Sequence, residues 1–214
     1  MKNSISIEDM KKGNLLTHRY LLGEYPARHI KKLCNEEGDA ITYPVFAHND
    51  AIKLEGALAE LLEGDTTLLL LGPRGTGKTQ AAVSIAHQLD QLQGMRGHAG
   101  DHYYTQLGQL FEDEKNSWKE GKKVDSMNRA IQRPLERARE SQTLVIDELQ
   151  ECTNSDWERQ ALTRLIDSRY QNEMNTILIG NLTQSALDDF FSKSVTSRLR
   201  ETGVIIEMTG EKYR

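Results

Sequence analysis

The chain alternates between short runs that are apolar on both faces and longer stretches with helical periodicity. "TLLLL" at 67–71, "TLVIDE" at 143–148, "NTILIGN" at 175–181 and "GVIIEMTG" at 203–210 read as strands, and "DHYYTQL" at 101–107 as a further one. Between them, Lys78 to Leu92, the charged segment 111–140, "NSDWERQALTRLIDSRYQ" and "TQSALDDFFSKSVTSRLR" read as helices. Ahead of the first strand, Ile52, Leu54, Leu58, Leu61 and Leu62 form a helical stripe, with Asn49 or Asp50 as its cap. Strands apolar on both faces, separated by helices, predict a parallel sheet covered on both sides.

The first 45 residues have a different texture. Gly13, Gly23, Pro26, Gly38 and Pro44 break them into short pieces. The clearest is a helix opening at Pro26 and closing at Gly38, with Ala27, Ile30, Leu33 and Cys34 on one face. The chain therefore divides into an N-terminal helical segment, 1–45, and a domain at 46–214. Through Leu33 the segment carries seven basic residues against three acidic ones, so it is basic within an acidic protein. It reads as a solvated appendage or as a docking module.

Composition narrows the class. A chain of 214 residues, 37% hydrophobic and 28% charged, is globular in type. No apolar run reaches the roughly 20 residues that span a bilayer, and the N-terminus has no signal-peptide core, so a cytoplasmic location is expected. Cys34 and Cys152 lack a CxxC or a nearby histidine pair and read as ordinary thiols. A formal net charge of −5 argues against a surface that clamps nucleic acid all round. Nucleic acid would have to meet a local patch or several subunits.

The chemistry is concentrated at three strand ends. "GPRGTGKT", comprising Gly72, Pro73, Arg74, Gly75, Thr76, Gly77, Lys78 and Thr79, fits the G-x-x-x-x-G-K-[ST] phosphate loop at the strand-to-helix junction that the pattern requires. Glycines let backbone N–H groups ring a polyphosphate, and the helix adds its positive dipole end. Lys78 is placed for the β- and γ-phosphates of ATP and Thr79 for Mg2+. Asp147 and Glu148 end a second strand, where ligands of an open parallel sheet bind. Asp147 suits the magnesium shell, and Glu148 suits the general base for water. Asn181 ends a third strand and is placed to orient that water or meet the γ-phosphate. Arg198 is the candidate arginine finger for a neighbouring subunit's site, with Arg200 as the alternative. Trp118 reads either as a base-stacking ring or as packing for its helix.

Together, "GPRGTGKT", "TLVIDE", "IDSRY", "NTILIGNLT", "SVTSRLRE" and "GEKYR" resemble the AAA+ ATPases of the DnaC/IstB clade, over about residues 50 to 214. The likeness is greatest to DnaC-like helicase loaders. It implies a P-loop NTPase (AAA+) fold, a three-layer αβα sandwich on a parallel sheet, without a C-terminal lid domain. It also implies ATP sites shared between subunits of an oligomer, and a structural or intersubunit role for Arg169. The partners implied are a replicative DNA helicase and single-stranded DNA. "DELQ" also resembles the acidic strand of IstB-like transposition ATPases, which bind duplex DNA and recruit a transposase.

Overall fold

Residues with no polar face can be buried only between two layers, and that is where the apolar runs lie. The computed structural model describes residues 25–30, 50–63, 67–95, 101–119, 133–151, 155–201 and 203–209. Five parallel strands form one sheet: β1 (Thr67–Leu71), β2 (His102–Gln106), β3 (Thr143–Asp147), β4 (Asn175–Gly180) and β5 (Gly203–Glu207), in the order β2-β3-β4-β1-β5. Every residue of β1, β3 and β4 is buried, whereas β5, at an edge, is only partly covered.

Alternate residues of the strands feed two separate cores. On one face Leu68, Leu70, Val145, Ile177 and Ile179 pack against α2 (Ala51–Glu63) and α3 (Lys78–Met95). On the other, Leu69, Leu71, Leu144, Ile146 and Leu178 meet α4 (Leu107–Lys119), α5 (Pro134–Glu140), α6 (Asp156–Gln171), α7 (Leu187–Phe190) and α8 (Lys193–Glu201). The result is the expected αβα sandwich. Each fully buried leucine or isoleucine contributes about 2 kcal/mol, so the sheet centre is the most strongly held part of the chain. The first described helix, α1 (Ala27–Ile30), lies against α3 and is preceded by the buried Tyr25.

Several helix expectations change. The charged segment 111–140 is not one helix: α4 starts four residues earlier at Leu107, and Pro134, which has no N–H to continue a helix, occupies the first turn of α5. Residues 120–132 between them lie outside the described set. The segment 183–200 breaks into a 3-10 turn, α7 and α8, because Phe191 turns extended and packs edge-on against Phe190 with ring centres 4.8 Å apart. Leu54, Ala57 and Leu61 make the buried stripe of α2, while Ile52 is 85% exposed. Of the expected helix from Pro26 to Gly38, Ala27–Ile30 is helical and the remainder lies outside the described residues, as do Cys34, Cys152 and the terminal "GEKYR".

The largest fully buried side chain among the described residues is Arg169 on α6. Its guanidinium donates to the carbonyls of Ala138 at 2.7 Å, Ser141 at 2.6 Å and Asn175 at 2.6 Å, and to Thr176 Oγ1 at 2.8 Å. Burial lowers its pKa to about 9, which still leaves it charged at neutral pH. Arg169 therefore ties the α5–β3 corner to the start of β4, and its burial makes its role structural.

Candidate active site

The loop between β1 and α3 is held open by backbone geometry that other residues resist. Gly72, Gly75 and Gly77 have φ of 128°, 90° and 87°. At Gly72 an added Cβ would lie 2.2 Å from the carbonyl oxygen of Met208. Met208 N–H in turn donates to Leu71 O at 2.8 Å, so the residue after β5 pins the start of the loop. Lys78 Nζ folds back and donates to Gly72 O at 2.8 Å and Pro73 O at 2.7 Å. Burial lowers its pKa, and the Asp147 and Glu148 carboxylates partly offset that. A cation buried against neutral carbonyls, at the N-terminus of an 18-residue helix, is a site that favours an anion.

The register of the sheet brings the acidic strand end beside this loop. Asp147 and Val145 face α3, and Thr79 Oγ1 donates to Asp147 Oδ2 at 2.9 Å. Tyr104 on β2 pairs with Val145 and donates its hydroxyl to the same oxygen at 2.8 Å. Burial, and then Asp147, push the Tyr104 phenol pKa well up, so it stays protonated and donating. The other oxygen, Asp147 Oδ1, accepts the Glu148 N–H at 2.7 Å.

Glu148 itself has φ of 55°, a left-handed conformation that costs about 1–3 kcal/mol in a non-glycine residue. The twist turns its side chain out of the strand line toward the end of β4. Leu71 pairs with Gly180, so Asn181 follows β4 directly alongside the loop. Asn181 Nδ2 donates to Glu148 Oε2 at 3.2 Å, and Gln150 Nε2 donates to that same oxygen. Gln150 Oε1 accepts the Asn181 backbone N–H at 2.9 Å, closing a ring of three residues.

These groups line one open cleft of about 550 Å3, within the range of about 300–1,000 Å3 usual for small-molecule sites. Arg74, Gly75, Gly77, Lys78, Thr79, Asp147, Glu148 and Asn181 are all in its wall. Arg28, His29 and Gln80 complete it, and sequence reading did not single them out. His29 Nδ1 hydrogen-bonds Gln80 Oε1 at 2.8 Å, and Arg28 Nε donates to His29 Nε2 at 3.0 Å, which assigns the His29 proton to Nδ1. Tyr104 and Gln150 were also missed. Arg28, His29 and Tyr104 are joined to the site only by folding, whereas Gln80, one past the phosphate loop, and Gln150, two past Glu148, carry a local hint.

The fit to ATP and magnesium follows from these contacts. Inward-facing glycine backbone and a buried lysine match a polyphosphate, and a hydroxyl on a carboxylate matches a hard cation. Thr79 and Asp147 are the side chains that would hold such a cation. The sequence pattern of the AAA domain (dynein-related subfamily) matches residues 67–210, from β1 past β5. The chain belongs to the AAA family.

It is accordingly an ATPase with a nucleotide-binding P-loop. No curated protein sequence matches it. The AAA fold recurs in the solved DnaC helicase loader, 22% identical with a TM-score of 0.57 over 74% of this chain and 87% of that one. It recurs in DnaI, 20% identical with a TM-score of 0.55 over 79% and 87%, and in AMPPCP-bound DnaA from Aquifex aeolicus, 17% identical with a TM-score of 0.57 over 74% and 46%. The chain spans less than half the length of the DNA replication initiation factor and of DnaA, 44% and 46%. At such identities the likeness is one of fold.

Arg198 lies apart from the AAA cleft of its own chain. On α8 it is ion-paired with Asp167 of α6, and its guanidinium sits 5.2 Å from the Tyr170 ring centre. Arg200 is exposed on the same helix. Trp118 packs edge-on against Trp157, 5.2 Å between centres, and donates to Glu114 Oε1 at 2.9 Å, so it braces α4 against α6 while remaining 47% exposed.

Proposed function

We propose that this AAA ATPase is a DnaC-like loader of a replicative DNA helicase that also binds single-stranded DNA and works in the cytoplasm of a bacterial or phage-infected cell. The observation that carries the reading is the single cleft in which Lys78, Asp147, Glu148 and Asn181 meet, on a fold shared with the DnaC helicase loader and DnaI. The proposed division of labour is an N-terminal segment, 1–45, that docks the helicase and an ATPase domain, 46–214. Arg28 and His29 of that segment line the ATPase cleft, which gives docking a physical route to nucleotide state.

In this reading Gly72 to Thr79 cradle the ATP phosphates, with Lys78 leaving its loop carbonyls for phosphate oxygens. Thr79 and Asp147 hold Mg2+, which supplies neutralisation of phosphate charge when bound. Glu148 takes the proton of the attacking water, and Asn181 and Gln150 hold the carboxylate in line for it. Arg198, released from Asp167 on α6, enters the cleft of the next subunit of an oligomer.

The test is co-elution of the full-length chain with a replicative helicase, with and without ATP, alongside DNA binding measured by anisotropy. ATP-dependent co-elution and tighter binding to single strands than to duplex are expected. No helicase affinity with ATP-dependent preference for duplex would overturn the loader reading in favour of an IstB-like transposition ATPase.

A further inference from the structure

A tyrosine at the centre of a core cluster needs a partner for its hydroxyl, because burying that group unpaired costs several kcal/mol on the scale of about 2–7. Tyr104 is such a residue. It is 7% exposed, packed among Leu68, Leu70, Val145 and Ile177. The ring of Tyr25 covers it with centres 5.6 Å apart. A phenylalanine would satisfy this packing equally well. The hydroxyl instead goes to Asp147 Oδ2, the oxygen that also accepts Thr79 Oγ1.

We infer that Tyr104 is a positioning residue for divalent cation uptake, holding the Asp147 carboxylate in the orientation that the Thr79 hydroxyl requires. Asp147 ends β3 and its side chain is fixed at three points. Glu148 N–H holds Oδ1, and Thr79 and Tyr104 hold Oδ2. Of these the Tyr104 bond alone comes from another strand, β2, which pairs with β3 in register through Tyr103–Leu144 and Tyr104–Val145. Glu148 N–H belongs to the adjacent residue and moves with it. Thr79, in the first turn of α3, carries the hydroxyl that the proposed function itself assigns to the cation. Tyr104 is thus the fixed reference against which the carboxylate is set. Groups that orient a metal's carboxylate from outside its coordination sphere are worth about 10- to 100-fold in metal affinity.

The inference rests on the assignment of Asp147 to the cation site, and the test separates the two. Mn2+ uptake by the full-length protein, loaded with a non-hydrolysable ATP analogue, is followed by the electron paramagnetic resonance signal of free Mn2+. Binding of a fluorescent ATP analogue in EDTA reports the phosphate cradle without metal. Tyr104→Phe is expected to weaken Mn2+ uptake about tenfold while metal-free nucleotide binding stays within about twofold. Tyr104→Leu removes the same hydroxyl with different packing and is expected to do the same, which keeps the test open if one variant does not fold. Asp147→Asn is expected to abolish the uptake, and adding Tyr104→Phe to it should cost nothing more. Unchanged Mn2+ affinity in the Tyr104 variants, or equal losses with and without metal, would overturn the inference. Unchanged uptake in the Asp147 variant would instead overturn the site assignment beneath it.

Discussion

Glu148 stands where two side-chain amides converge, from Asn181 and Gln150, on a backbone turned left-handed by φ of 55°. A carboxylate so held gains no advantage for folding, since a strained residue at a strand end costs stability. Its value lies in aim. Glu148→Gln preserves the shape and the cradle but removes the base, so ATP hydrolysis should fall about 100- to 10,000-fold. ATP affinity should remain near that of the wild type. Turnover of inorganic phosphate release, beside titration of a fluorescent ATP analogue, checks both halves. Hydrolysis at the wild-type rate would remove Glu148 from the base role. At this scale the sequence was informative wherever a motif is contiguous. Lys78 and Thr79 announce themselves inside eight residues, and Asp147 and Glu148 end an apolar run. Tyr104 and His29 do not, because their partners Asp147 and Gln80 lie 43 and 51 residues away and only the packed sheet unites them.

Among the elements, strands were legible nearly to the residue and helices less so. An apolar run with no polar face admits one burial mode, which is why β1 falls at Thr67–Leu71 as its pattern indicates. The charged helices gave no such constraint, and both the early start of α4 at Leu107 and the separate α5 depend on contacts with β2 and α6. Arg169 shows what periodicity cannot convey. By periodicity it is one more basic residue in a polar helix, marked only by its place in "IDSRY", yet it satisfies carbonyls of α5, of the α5–β3 corner and of β4. Arg169→Met should strand these acceptors without water. A loss of about 3 kcal/mol or more is expected, at roughly 1–3 kcal/mol per buried unpaired group. A urea unfolding midpoint shifted by less than a third of that would show that the carbonyls find other donors.

For the molecule as a whole, the position of Arg198 outside the wall of its own cleft divides the proposed chemistry between copies. Its hold by Asp167 and Tyr170 keeps the guanidinium oriented on α8, away from its own phosphate loop. Arg198→Ala should therefore lose DNA-stimulated hydrolysis while still binding ATP. Lys78→Ala should lose ATP binding. Mixed together, the two proteins should recover part of the activity, because an intact cradle from one can meet an intact arginine from the other. Absence of recovery at any mixing ratio would argue for sites complete within one chain. If Arg200 were the finger, Arg200→Ala would show the same behaviour and Arg198→Ala would not.

The clasp between Met208 and the start of the phosphate loop has a temporal side. β1 is synthesised before β5, so its outer edge stays bare until β5 is made, and Gly72 has no wall to rest on before residue 208 emerges. A nascent polypeptide stalled short of that point would carry the whole motif and still lack the support that shapes it. Formation of the phosphate cradle is thus tied to closure of the sheet edge at residue 208.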